Sequence, residues 1–170
     1  MIRKLALAAL TAGLLASPAL AAETIKVETS KDCSFTITLR PDLAPKHVAQ
    51  ITKLAKAGFY DGIVFHRVID GFMAQTGDPT GTGMGGSNEP DLPAEFTAEP
   101  FKRGTVGMAR SSNPDSGNSQ FFVMFADGDF LNGQYTVWGQ VDEQGMACVD
   151  KIAKGEPPAN PDKMTKVTVQ

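Results

Sequence analysis

Phe65-His66-Arg67-Val68-Ile69-Asp70-Gly71-Phe72-Met73-Ala74-Gln75 spans two of the short β-rich runs in this chain, Ile63 to Ile69 and Phe72 to Thr76. Side chains alternate across a strand, so Phe65, Arg67 and Ile69 should share one face and His66 and Val68 the other, while Met73 and Gln75 stand together. A second stretch, Ser119-Gln120-Phe121-Phe122-Val123, repeats the arrangement. If Phe121 and Val123 fill an interior, Gln120 and Phe122 lie outside it, where an aromatic ring needs a reason. An amide and a large hydrophobe are thus paired twice, once beside a permanently charged guanidinium.

Further β-rich runs lie on both sides. Thr24 to Leu39 alternates apolar and polar residues around Ser30-Lys31-Asp32, which reads as strand, turn, strand. Thr105 to Ala109, Phe121 to Phe125, Tyr135 to Val141 and Lys163 to Val169 add four more. Leu43, Val48, Ile51, Leu54 and Ala55 recur at helical spacing, predicting a helix over Ala44 to Ala57 with Asp42 as N-cap, Pro45 in the first turn and Gly58 as its end. A second helix is predicted from Gly145 to Ala153. Many short strands, two helices and no regular β-α alternation give a mainly β protein, an antiparallel barrel or a sandwich. The residues leave that choice open.

Met1-Ile2-Arg3-Lys4 is a basic head, Leu5 to Leu15 an apolar run, and Ser17-Pro18-Ala19-Leu20-Ala21 a small-residue ending. That is the pattern of a secretory signal peptide over residues 1–21, interrupted and short for a membrane span, leaving residues 22–170 as one domain. The chain carries 16 basic and 19 acidic residues, and loss of Arg3 and Lys4 makes the balance more acidic. Nucleic-acid binding, which needs clustered Lys and Arg, is disfavoured. No cysteine stands at the cleavage point for a lipid, so no membrane attachment is expected after cleavage, and a monomer is the expected state.

Cys33 and Cys148 are the only cysteines. Export would permit a bridge, but one falls in a predicted strand and the other in a distant predicted helix, so two free, mostly buried thiols are expected. Neither they nor His47 and His66 show metal-ligand spacing, and neither metal nor cofactor is expected. Gly81-Thr82-Gly83-Met84-Gly85-Gly86 satisfies a dinucleotide fingerprint in letters only, since Ser87-Asn88-Glu89-Pro90-Asp91-Leu92-Pro93 cannot begin the helix that fingerprint requires. His66 invites a general-base role, yet strand parity turns it away from Arg67, so a hydrogen-bonded structural role is expected, with His47 on the surface. No serine lies in a nucleophile elbow. Trp138 reads as structural.

Taken in order, Phe65-His66-Arg67-Val68-Ile69, then Gly71-Phe72-Met73-x-Gln75-x-Gly77-Asp78, then Gly107-Met108-Ala109-Arg110, then Ser119-Gln120-Phe121-Phe122, resemble the cyclophilin family of peptidyl-prolyl isomerases from about Ile25 to the C-terminus. The resemblance implies a closed eight-stranded antiparallel barrel with a helix over each end, and a glycine-rich loop, within Asp78 to Arg103, beside the substrate groove. By the same resemblance Arg67 matches the catalytic arginine, while Phe72, Met73, Phe122 and Leu131 match the walls of a proline pocket. Gln75 and Gln120 match its flanking amides. Ala109 and Arg110 match an edge segment whose backbone pairs with substrate, and Ser111 the next groove position.

Three positions depart from many eukaryotic members. Arg110 replaces an asparagine, which leaves backbone pairing intact but shifts charge preference. Phe130 replaces a tryptophan, removing an N–H used by the inhibitor cyclosporin and implying weak inhibition. Tyr135 replaces a histidine and keeps an aromatic wall. The implied activity is cis-trans isomerisation of X-Pro bonds in unfolded or partly folded exported polypeptides, in the periplasm. The competing expectation is a module that binds proline-containing segments without isomerising them.

Overall fold

A computed structural model describes residues 23–170, so the signal peptide expected over residues 1–21 lies outside the described residues. Eight strands form one antiparallel sheet: β1 (Thr24–Thr29), β2 (Ser34–Leu39), β3 (Arg67–Ile69), β4 (Met73–Thr76), β5 (Thr105–Met108), β6 (Phe121–Met124), β7 (Val137–Val141) and β8 (Met164–Val169). Their order is β3-β4-β6-β5-β7-β2-β1-β8. The sheet curls into a half-barrel. The expected closed barrel is not shown, because β3 and β8 end the order without a ladder between them and only an isolated Val64–Lys163 bridge with its neighbouring hydrogen bonds ties that seam.

The run predicted from Ile63 is a strand only from Arg67 onward. The Phe65 N–H donates to Asp162 and the Ile63 carbonyl accepts from Met164, so this segment is satisfied by the approach to β8 instead of by a ladder. The alternation breaks there too. Phe65 is fully buried while Arg67 is exposed, so the two do not share a face as predicted.

Within the sheet, alternation holds. Phe121 and Val123 of β6 enter a large core with Ile25, Phe35, Ile37 and Val106, whereas Phe122 and Met124 enter a second cluster with Met73, Phe101, Leu131 and Val137. Trp138 is fully buried in the large core, edge-on to Phe121 with ring centroids 5.4 Å apart.

Helix α1 (Pro45–Lys56) covers one side of that core with Val48, Ile51 and Leu54. Asp42 does not cap it. Its carboxylate is taken by Arg40 at 2.8 Å, and the Glu95 carboxylate instead accepts from the Lys46 and His47 N–H groups at 3.2 and 3.0 Å. The same carboxylate meets His47 Nδ1 at 2.6 Å. His47 is therefore buried and not on the surface as expected, because this loop carboxylate folds over the helix start. Gly58, at φ +72°, lets the chain leave the helix in a left-handed turn. Helix α2 (Glu143–Val149) begins earlier than its apolar pattern indicated, since the Asp142 side chain caps it by accepting from the Gly145 N–H at 2.7 Å.

Cys33 and Cys148 form a disulfide, with Cα atoms 5.8 Å apart, against the expectation of free thiols. Cys33 stands in the turn just before β2, not inside a strand, and β7 pairs with β2. Helix α2 follows β7 directly and packs against β2, which brings Cys148 over Cys33 across 115 residues of chain.

Candidate active site

Strand pairing gathers residues that the sequence scatters. Gln75 lies opposite Arg67 on one side and opposite Phe122 on the other, and Phe122 in turn lies opposite Gly107. Gly107 has a packing reason: a Cβ there would stand 2.5 Å from the Phe122 ring and 2.7 Å from Phe101, whose rings stack at 5.7 Å. Arg67, Gln75 and Phe122 of this row line a cavity of about 120 Å³ together with Phe72, Met73, Ala109, Arg110, Leu131 and Tyr135. Met73, Phe122 and Leu131 are buried in its walls. Tyr135 meets Phe122 edge-on at 5.8 Å and carries the Arg110 guanidinium 4.4 Å above its ring. Arg110 also donates through Nη2 to the Gln134 carbonyl at 2.8 Å and through Nη1 to that of Ser111 at 2.9 Å, so it is held against the rim.

All nine lining residues are among those the sequence singled out. The other three stand elsewhere. Ser111 and Gln120 line a neighbouring groove of about 470 Å³, which also shares Gln75, Ala109 and Arg110. Phe130 lines neither; it is 70% exposed and leans on Phe72 with ring centroids 5.4 Å apart. Its edge offers no N–H.

The groove's far wall is the glycine-rich segment Gly83 to Gly86 together with Ser87, Asp91, Ser116 and Asn118. It is irregular and opens no helix, consistent with a loop and not a dinucleotide site. Two anchors fix it. Gln75 Nε2 donates to Gln120 Oε1 at 2.9 Å, and Gln120 Nε2 donates to the Gly83 and Gly85 carbonyls at 3.0 and 2.8 Å. From the other side the Asp78 carboxylate accepts from the N–H groups of Thr80, Thr82, Gly83 and Gly85. Burial opposes that charge, but the Thr80 hydroxyl and these backbone donors outweigh it and bring the Asp78 pKa to about 2. The expected amide pair is thus also a structural relay from the cavity to the loop. The G-x-G-x-x-G run and the family's loop placement were the only sequence signals for this wall; Ser116 and Asn118 gave none.

His66 departs from expectation. It is buried, but among the described residues neither ring nitrogen has a hydrogen-bond partner. The ring packs under the loop near Gly83, and the charged groups that bear on it are Asp78 and Arg67. Burial lowers its pKa, opposed by Asp78 and aided by Arg67. Burial likewise lowers that of His47, against the pull of Glu95. A histidine whose folded pKa is depressed binds more protons when unfolded, so its contribution to stability is complete above about pH 6.5 and is lost as pH falls below it. The melting temperature is expected to fall between about pH 6.5 and pH 5, and His66→Phe to reduce that slope without loss of stability at pH 8, since it removes an unsatisfied buried polar group. Thermal melts across pH check this; an unchanged slope in the variant would contradict it.

Arg67 is the exposed charge at the cavity wall. Its Nε donates to Glu156 Oε1 at 2.9 Å, a contact across 89 residues that nothing in the sequence signalled. Among the described residues its two Nη groups make no protein hydrogen bond.

Residues 24–169 match the family model described as cyclophilin type peptidyl-prolyl cis-trans isomerase/CLD. A probable peptidyl-prolyl cis-trans isomerase of Brucella suis biovar 1 is 60% identical, with 82% of this chain and 79% of that protein covered. A peptidyl-prolyl cis-trans isomerase of Helicobacter pylori is 44% identical over 66% of this chain and 70% of its own. Among solved structures, the cyclophilin AquaCyp293 from Hirschia baltica is similar at a TM-score of 0.77 and 30% identity, covering 85% of this chain and 73% of that one. A Cryptosporidium parvum cyclophilin-type isomerase, solved in the presence of the dipeptide ala-pro, is similar at 0.78 and 26% identity, covering 86% and 98%.

Proposed function

Because the chain belongs to the cyclophilin-type peptidyl-prolyl cis-trans isomerase family, we propose that the small cavity seats the proline ring of an X-Pro segment and that Arg67 is its catalytic residue. The observation that carries this is that the apolar side chains Phe72, Met73, Phe122 and Leu131 line one cavity with a guanidinium whose outer edge has no protein partner among the described residues. At about 120 Å³ the space is well below the roughly 300–1,000 Å³ of sites for drug-sized ligands, and it suits one ring. The Cryptosporidium structure was determined with ala-pro present, the class of ligand assigned here.

The uncatalysed bond turns over a barrier of about 20 kcal/mol set by amide resonance. No covalent bond breaks. Twisting the bond makes the prolyl nitrogen pyramidal and restores its lone pair, and an Nη–H of Arg67 donates to it. The interaction exists only in the twisted state, so it lowers the barrier without tightening ground-state binding. Phe72, Met73, Phe122 and Leu131 fix the ring and keep water away, while Gln75 and the Ala109–Ser111 edge orient the flanking chain. Phe130 and Tyr135 extend the aromatic rim.

Two single variants test the division of labour in an X-Pro peptide assay. Phe122→Ala is expected to weaken substrate binding by at least tenfold, losing much of a buried aromatic contact. Arg67→Ala is expected to act on turnover. Full function in Arg67→Ala with loss only in Phe122→Ala would instead describe a proline-binding module.

We further propose that residues 1–21 direct export and are removed, that residues 22–170 act as a monomer in the periplasm, and that the clients are exported polypeptides with slow X-Pro steps. The leader pattern supports this, as does the Cys33–Cys148 bridge, a feature of oxidising compartments. Recovery of an uncleaved protein from the cytoplasm would contradict it.

A further inference from the structure

The segment between α2 and β8 carries no residue that the sequence marked for the site, yet it delivers one charge to Arg67. Val68 and Gly155 exchange two backbone hydrogen bonds, both 2.8 Å, which fastens that segment to the middle of β3. The segment is also fixed ahead of this bridge and shaped at it. Ahead of it, the Ala153 N–H donates to Asp162 at 2.9 Å and Lys154 Nζ donates to the Asp150 and Ile152 carbonyls. At the bridge, Gly155 has φ +148°, and a Cβ there would stand 2.6 Å from Pro158. Glu156 follows directly, and its carboxylate accepts from Arg67 Nε at 2.9 Å.

We propose that Glu156 is a positioning residue for the isomerisation: by holding the Nε edge of the Arg67 guanidinium it turns the Nη edge toward the proline cavity. This rests on the reading of Arg67 as donor to the prolyl nitrogen. A guanidinium is planar, so one hydrogen bond at Nε fixes the direction of the remaining N–H groups. Arg67 is otherwise a long side chain on an edge strand, with 44% of its side-chain surface exposed, and ordering it only in the transition state would slow each turnover. Exposed ion pairs add little to stability, and both partners here are about half exposed. The benefit should therefore appear in turnover and not in melting temperature.

The test compares wild type, Glu156→Ala, Glu156→Gln, Arg67→Ala and the Arg67→Ala/Glu156→Ala double variant, measuring kcat, KM and melting temperature with one X-Pro peptide. Glu156→Ala is expected to lower kcat by about 3- to 10-fold with KM and melting temperature little changed. Glu156→Gln, which keeps an oxygen to accept from Nε, should restore most of that loss. In the Arg67→Ala background, loss of Glu156 should have no further effect. Wild-type kcat in Glu156→Ala would overturn the proposal, as would an equal loss in both backgrounds. Faster turnover in both Glu156 variants would overturn it as well, showing a charge that restrains Arg67. A fully active Arg67→Ala would remove the underlying reading of Arg67 itself, a result distinct from failure at Glu156 alone.

Discussion

Arg67→Ala is expected to lower turnover of an X-Pro peptide by roughly 30- to 160-fold, the rate equivalent of the ~2 to 3 kcal/mol of one charge-assisted hydrogen bond. Substrate affinity should change far less, because the bond to the prolyl nitrogen is made only when the amide twists. A total acceleration of ~10⁵ needs about 7 kcal/mol, so the apolar walls must supply the remainder by anchoring the ring and excluding water. Residual catalysis in the variant follows. Arg67→Lys should not restore full activity, since an ammonium cannot bond Glu156 and the substrate along two edges of one plane. Steady-state rates with folding verified by melting curves check this, and a loss confined to KM would contradict it.

Reducing the Cys33–Cys148 bridge, or replacing both residues with alanine, is expected to cost about 3 to 5 kcal/mol of stability. The bridge spans 115 residues, and tying so long a loop restricts the unfolded chain by about 4 to 5 kcal/mol on the loop-entropy account. For a domain of this size each kcal/mol moves the melting temperature by about 2 to 4 °C, so a fall of about 6 to 20 °C should follow. Neither cysteine lines the cavity, so activity below the new melting point should match wild type. Melting curves with and without reductant check the effect. An unchanged melting temperature on full reduction would contradict it.

The sequence was most informative where period alone fixes direction. Alternation separated Phe121 and Val123 from Gln120 and Phe122, and the structure places Phe121 and Val123 in one cluster and Phe122 in another. Helical spacing located α1 to within a residue at each end. The family resemblance pointed to every residue that lines the cavity, Leu131 and the departing Tyr135 included, which no local pattern could do, since their convergence depends largely on the pairing of β3, β4, β6 and β5.

What escaped depends on contacts between segments distant in the chain. His47 reads as a surface helix residue until Glu95 folds over it. The disulfide becomes visible only when β7 is known to lie beside β2. Glu156 is an ordinary loop acid until a two-bond bridge sets it next to Arg67. Closure failed for a related reason: alternation can give the number of strands, but whether the end strands join depends on pairing along the seam, and there the residues before β3 make isolated bonds with the approach to β8.

The most direct test is the cis-to-trans rate of a short X-Pro peptide with purified residues 22–170 beside the Arg67→Ala variant, both shown to be folded. The prediction is fast isomerisation by the wild type and a rate at least tenfold lower in the variant at saturating substrate. Equal rates in the two folded proteins would contradict the central role given to Arg67.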